Sequence, residues 1–213
     1  MRVITFTWEF PPRIVGQLSY YVNKLAVELV KKSVDTYVVT YHESWRGYNQ
    51  GKDGVKAYRI STPVSPQINI LTWALTLNPE IERVAADIYY SVKHEVDLID
   101  VYEWHFTPAA MVLKRALGIP FVFSIDSLEN HRSHDSNAPF NLSIKSLEAL
   151  GVNESERIVV KSDWMKQEVN RIYKTSLEKI DVVLPNSPTW IDEILRVYKK
   201  TLNSPLSDAS LAE

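Results

Sequence analysis

Short apolar runs alternate along this chain with longer stretches in which apolar residues recur every three or four positions. The runs fall at residues 2–8 (RVITFTW), 36–41 (TYVVTY), 55–60 (VKAYRI), 97–102 (DLIDVY), 120–125 (PFVFSI), 157–161 (RIVVK) and 180–184 (IDVVL). Each is rich in β-branched or aromatic residues and nearly unbroken, as expected of strands covered on both faces. Between them, Leu18, Tyr21, Val22, Leu25, Leu29 and Val30 form one helical stripe. Ile81, Val84, Ala85, Ile88 and Val92 form a second, with Pro79 at a starting position. Met111, Leu113, Ala116 and Leu117 form a third, closed by Gly118, and Pro120 opens the next strand. Strands alternating with helices predict one α/β domain, a Rossmann-like, doubly wound and mostly parallel sheet.

Two stretches interrupt the rhythm. Residues 42–54 carry three glycines and read as a hairpin or a surface loop. Residues 129–141 are polar and read as a mobile loop. Near the end, Trp190, Ile191, Ile194, Tyr198 and Leu202 form the stripe of a closing helix, and the small polar residues 203–213 read as a flexible tail. The domain is therefore expected to span 1–202, with 188–202 as its last helix.

Composition narrows the field of functions. The 213 residues suit one large domain with a real core, and the formal charge of -2 gives nucleic acid or an anionic membrane no electrostatic foothold. With no cysteine, disulfides, thiolate metal sites and thiol nucleophiles are excluded. No long uncharged apolar run marks a membrane span, and the expectation is a cytoplasmic protein.

In open parallel sheets, ligands bind outside the carboxyl ends of the strands. Those ends carry Glu9 and Gly16 after the first run, then Tyr102, Glu103, Trp104 and His105 after the fourth. Asp126 and Glu129 follow the fifth, with Arg132 close behind, and Ser162 and Asp163 follow the sixth. Each has a plainer reading. Gly16 serves equally as a turn or cap glycine, the glutamates as solvated or capping carboxylates, Trp104 as core, and Ser162 as a helix cap. His131 and His134 lack further metal-type spacing, so no metal is expected. The chain has no GxGxxG, GxxxxGK[ST] or GxSxG, which argues against a dinucleotide site, a P-loop and a hydrolase elbow.

Taken in order and spacing, FTWEFPPRIVGQL, LIDVYEWHFTPAAMVLKRALGIPFVFSIDSLE, RIVVKSDWMKQEV and IDVVLPN resemble the N-terminal domain of GT-B glycosyltransferases. The likeness is greatest to the glycogen/starch synthase-like, retaining group, and it covers roughly residues 1–186. It implies a Rossmann-like domain that meets the acceptor, beside a second domain that binds the nucleotide-sugar donor. It also implies that amides of a glycine pair in the first loop approach the donor phosphate. Here the pair is Gly16-Gln17, and a positive φ at the second position would be costly.

Two cleft histidines implied by the resemblance fall on Tyr102 and Asp126, so no catalytic set is intact. After IDVVLPN the chain passes directly to a helix resembling the family's final one, with no donor-domain sequence between. The resemblance thus implies a stand-alone acceptor domain with no cofactor of its own, inactive alone. It would be completed by a donor-domain protein in trans, or else act as a non-catalytic, regulatory α-glucan-binding pseudoenzyme. Tyr102, Trp104 and His105, beside Arg132, are expected to hold an α-glucan or other carbohydrate weakly. Trp8, Phe10, Ile14, Val15, Trp104 and Phe106 are expected to leave an apolar rim for a protein partner or a homodimer.

Overall fold

The computed structural model describes residues 1–51, 53–134 and 137–204. Its strands are β1 (Arg2–Thr7), β2 (Asp35–Tyr41), β3 (Gly47–Gln50), β4 (Lys56–Ile60), β5 (Leu98–Tyr102), β6 (Phe121–Ile125), β7 (Arg157–Val160) and β8 (Ile180–Val182). They form one eight-stranded sheet in the order β3-β4-β2-β1-β5-β6-β7-β8. All neighbours are parallel except β3 and β4, so the 42–54 stretch is a hairpin hung on the sheet edge. The winding reverses between β1 and β5, which opens a crevice above their carboxyl ends.

The helices are α1 (Gln17–Lys31), α2 (Ile70–Ser91), α3 (Thr107–Leu117), α4 (Glu129–Arg132), α5 (Pro139–Glu154), α6 (Asp163–Tyr173) and α7 (Trp190–Asn203). Strand alternation divides the core into two layers. Ile4 and Phe6 of β1 pack with Trp73, Leu77 and Ile81 of α2, and with residues of α3, α5 and α6. Val3 and Val38 face the other way, onto Leu25 and Leu29 of α1 and Ile194 and Tyr198 of α7. Burying each of these side chains contributes about 1.5–3 kcal/mol relative to exposure.

Three expectations need correction. First, α2 does not start near Pro79 but at Ile70, where the Asn69 side chain accepts from Thr72 N at 2.8 Å. Trp73, Ala74 and Leu77 carry the buried stripe through the proline, and their burial outweighs its missing hydrogen bond. Second, residues 129–141 are not one mobile loop. Glu129–Arg132 forms the single turn α4, and α5 begins at Pro139. Third, the stripe of α7 runs through Val197 and Thr201, leaving Leu202 exposed. The tail expected at 203–213 falls outside the described residues from 205 onward.

Two glycines are set by geometry. Gly118 ends α3 in the left-handed region, φ +70. A Cβ on Gly151 would stand 2.6 Å from Thr107 Cγ2 and 2.7 Å from the Phe123 ring, so α5 lies tight against α3 and β6. A buried polar tie fixes α7: Tyr198 Oη donates to Asp100 Oδ2 at 2.6 Å, and Ser124 Oγ to Asp100 Oδ1 at 3.0 Å. Burial pushes the Asp100 carboxyl up to about 6, despite those donors.

Candidate functional site

Above the winding reversal lies a cavity of about 440 Å³, walled by the loops after β1, β5 and β6 and by α4 and α5. The β1 loop is stapled from inside. Arg13 donates from Nε to Glu43 at 2.6 Å and from Nη1 to Trp8 O at 3.1 Å, with its guanidinium over the Trp8 ring. Glu9 is buried, and its Oε2 accepts from Val15 N and Gly16 N, both at 2.7 Å. The amides ahead of α1 therefore already hold a carboxylate. Gly16 itself is extended, φ -146, and Gln17 is the first helical residue with no positive φ, so the strain expected at this pair is absent.

The β5 loop repeats the device. Glu103, at φ 63, turns its carboxylate toward the next loop, where Oε1 accepts from Asp126 N at 2.6 Å and Ser127 N at 3.0 Å. Arg132 then gathers three buried glutamates: Glu103 at 3.3 Å, Glu129 at 3.1 Å and Glu148 at 2.6 Å. Glu148 also accepts from Glu129 N at 2.8 Å and from the Tyr173 hydroxyl. Burial pushes the Glu103 carboxyl up to about 7 although Arg132 pulls the other way, so the cluster depends on its single guanidinium.

The opposite wall is aromatic. A 3-10 turn, Trp104–Phe106, lays His105 between Trp104, centroids 4.2 Å apart, and Trp8, 5.3 Å away, both nearly parallel. Asn78 of α2 holds that turn. Its Nδ2 donates to His105 O at 3.0 Å, while its Oδ1 accepts from Ala109 N at 2.9 Å. His105 is 4% exposed and, among the described residues, neither ring nitrogen has a hydrogen-bond partner. Burial pushes its pKa down to about 3, so the ring is neutral at physiological pH and keeps one unused donor and one unused acceptor.

Of the residues singled out from sequence, Glu9, Gly16, Gln17, Glu103, Trp104, His105, Asp126, Glu129 and Arg132 line this one cavity. Tyr102 does not join Trp104 and His105. Strand alternation sends it to the opposite layer, beside Tyr21 at 6.0 Å and among α1 and α7 residues. Ser162 stands apart from the cavity as the cap of α6, accepting from Met165 N at 3.1 Å. Asp126 pairs with Lys161 at 2.5 Å.

The apolar rim is also smaller than expected. Phe10, Trp104 and Phe106 are buried, leaving Ile14 at 47% and Val15 at 57% exposure. Sequence reasoning missed Asn78, Arg13 and Glu148. Only the Glu129–Arg132 spacing within one helical turn hinted at the ionic cluster.

The family described as Glycosyltransferase Family 4 matches residues 18–186. A glycosyltransferase of Methanocaldococcus jannaschii, described as uncharacterized, is 30% identical over 209 residues, 95% of this chain and 50% of its own length. The glycogen synthase of Mycobacterium tuberculosis is 21% identical over 197 residues, 86% of this chain and 47% of its own. This chain thus spans about half the length of the curated relatives it matches.

Among solved structures, sucrose-phosphate synthase from Thermosynechococcus elongatus superposes with a TM-score of 0.69 at 12% identity, covering 86% of this chain and 47% of that one. The catalytic domain of starch synthase IV from Arabidopsis thaliana, bound to ADP and acarbose, gives 0.58 at 13%, covering 88% and 52%. These likenesses show the fold. With the matched residues extending from α1 to the loop beyond β8, the chain belongs to Glycosyltransferase Family 4.

Proposed function

We propose that this domain is the acceptor-facing part of a glycogen-synthase-like glycosyltransferase, and that by itself it binds an α-glucan weakly and transfers no sugar. Catalysis then requires a donor-binding domain beside it. The observation that carries the reading is Glu9, whose carboxylate sits on the Val15 and Gly16 amides at 2.7 Å each. A nucleotide diphosphate would have to displace an internal anion from the same donors, at the cost of desolvated charge.

The other cleft wall supports the saccharide half of the reading. Trp8 is the half-buried ring of that wall and gives apolar surface for sugar C–H groups, with Trp104 and His105 buried against it and both His105 nitrogens without a partner among the described residues. The relation to a glycogen synthase favours a glucan among acceptors. Ile14 and Val15, exposed at the mouth, are where a partner domain or a second copy would seat. The test is turnover: the homogeneous chain, given ADP-glucose or UDP-glucose and glycogen, is expected to release no nucleotide and extend no chain. Sustained transfer that follows the protein through a sizing column overturns the proposal.

A further inference from the structure

A second cavity, of about 320 Å³, lies away from the cleft, between the β1 loop, α1 and the β3–β4 hairpin. Phe10, Pro11 and Pro12 form one side, with Asn23, Trp45 and Arg59 on the others. Alternation along β4 sends Tyr58 and Ile60 toward α2, while Arg59 follows Val55 and Ala57 toward α1. Arg59 is only 6% exposed. Its guanidinium stacks 4.2 Å from the Trp45 ring centroid, Nη1 donates to Asn49 Oδ1 at 2.7 Å and Nη2 to Pro11 O at 2.7 Å. Nε is buried with no acceptor among the described residues.

Arg59 has no carboxylate partner among the described residues, in contrast to the other buried cations. Arg13 pairs with Glu43 at 2.6 Å and Lys114 with Glu156 at 2.5 Å. Buried charges in proteins are paired, because an isolated one forfeits its hydration without return. Two neutral oxygens and an indole face compensate a guanidinium only in part. Burial alone accordingly lowers the Arg59 pKa, yet a guanidinium stays protonated. A desolvated, uncompensated, forked donor at the wall of a cavity is the arrangement that recognises oxyanions.

We propose that this cavity is a small-molecule oxyanion site, in which Arg59 supplies the counter-charge for a phosphate-ester or carboxylate group and Trp45 covers it. Asp53 also lines the cavity, its Oδ1 accepting from Val55 N at 3.2 Å, so the ligand carries its charge at the Arg59 end. The site lies on the α1 side of the β1 loop and does not depend on what the cleft does.

Calorimetry and Trp45 fluorescence test it on the full chain, titrated separately with inorganic phosphate and with acetate against matched sodium chloride. Saturation by phosphate alone identifies a phosphate-ester site, and comparable saturation by acetate a carboxylate site. Either response should vanish in Arg59→Gln. Because Arg59 also braces Pro11, Asn23→Asp is the second variant. It adds a negative charge on a half-buried helix position, and should weaken binding by at least about tenfold with the thermal midpoint retained. No saturable response to either anion, or responses unchanged in both variants, overturns the proposal.

Discussion

The two walls of the main cleft are built on opposite principles. On the polar wall every strong group has a partner. Glu9 holds two amides of the loop ahead of α1, Glu103 holds two amides of the loop after β6, and Arg132 neutralises three carboxylates. On the aromatic wall, Trp8 and Trp104 sandwich a neutral histidine whose nitrogens have none among the described residues. A group already satisfied gains nothing from a ligand, whereas one left unsatisfied gains a hydrogen bond without losing one. The polar wall therefore fixes the shape of the cleft, and in the proposed function the aromatic wall is the one that would meet a ligand.

The most severe way to break this contrast is Arg132→Met. It leaves Glu103, Glu129 and Glu148 buried without their cation, and should cost about 3–5 kcal/mol in denaturant unfolding. The pH dependence has a definite sign. A carboxyl whose folded pKa lies above its unfolded value binds its proton more tightly in the fold, so stability is gained as pH falls. Glu103 stands at about 7 even with Arg132 present, and without it moves higher. The penalty of the variant should thus shrink as pH falls toward about 7, the range in which Glu103 is already protonated in the variant but still ionised in the parent, and level off below about 7 once both are protonated. A penalty independent of pH would mean that Arg132 acts by packing alone.

Glu9→Ala comes next. Losing two charge-assisted bonds should destabilise the fold by about 1–3 kcal/mol. It should also free the Val15 and Gly16 amides, so that inorganic phosphate raises the thermal midpoint of the variant and not of the parent. A variant indifferent to phosphate would show that those amides are no anion site even when vacant.

Tyr198→Phe probes the scaffold beneath. It removes the donor to buried Asp100 and should cost about 1–3 kcal/mol, with faster amide exchange in α7. Equal protection in both proteins would assign the seating of α7 to its apolar stripe only. The smallest effect is expected of Gln17→Gly: a loss within about 1 kcal/mol at the helix start, and no gain in nucleotide affinity while Glu9 remains on the amides.

The seven parallel strands were legible because they are largely buried and read as apolar runs, whereas β3, exposed at the sheet edge, carries no such run. Val3 to Phe6 and Val38 to Val39 need no partner to be recognised. The position of the cleft followed from strand ends alone. Side-chain direction did not. Tyr102 and Trp104 are two residues apart, yet the positive φ at Glu103 and the 3-10 turn after it put them in different layers. Nor could spacing reveal that Glu9 caps its own loop, or that Arg132 meets Glu148 from another helix, since both depend on how loops fold back. Pro79 misled for a related reason: tertiary burial of Trp73 and Leu77 overrides its local preference.

The contrast between the walls is tested most directly by calorimetry on the purified chain and its His105→Phe variant, each titrated with maltooligosaccharide and, separately, with ADP and UDP. The substitution keeps an aromatic ring between Trp8 and Trp104 and deletes the two nitrogens. Weak, saturable oligosaccharide binding by the parent, weakened in the variant at unchanged thermal stability, with no heat from either nucleotide, is the predicted result. Tight ADP or UDP binding by the parent, or oligosaccharide binding that is indifferent to His105→Phe, would contradict it.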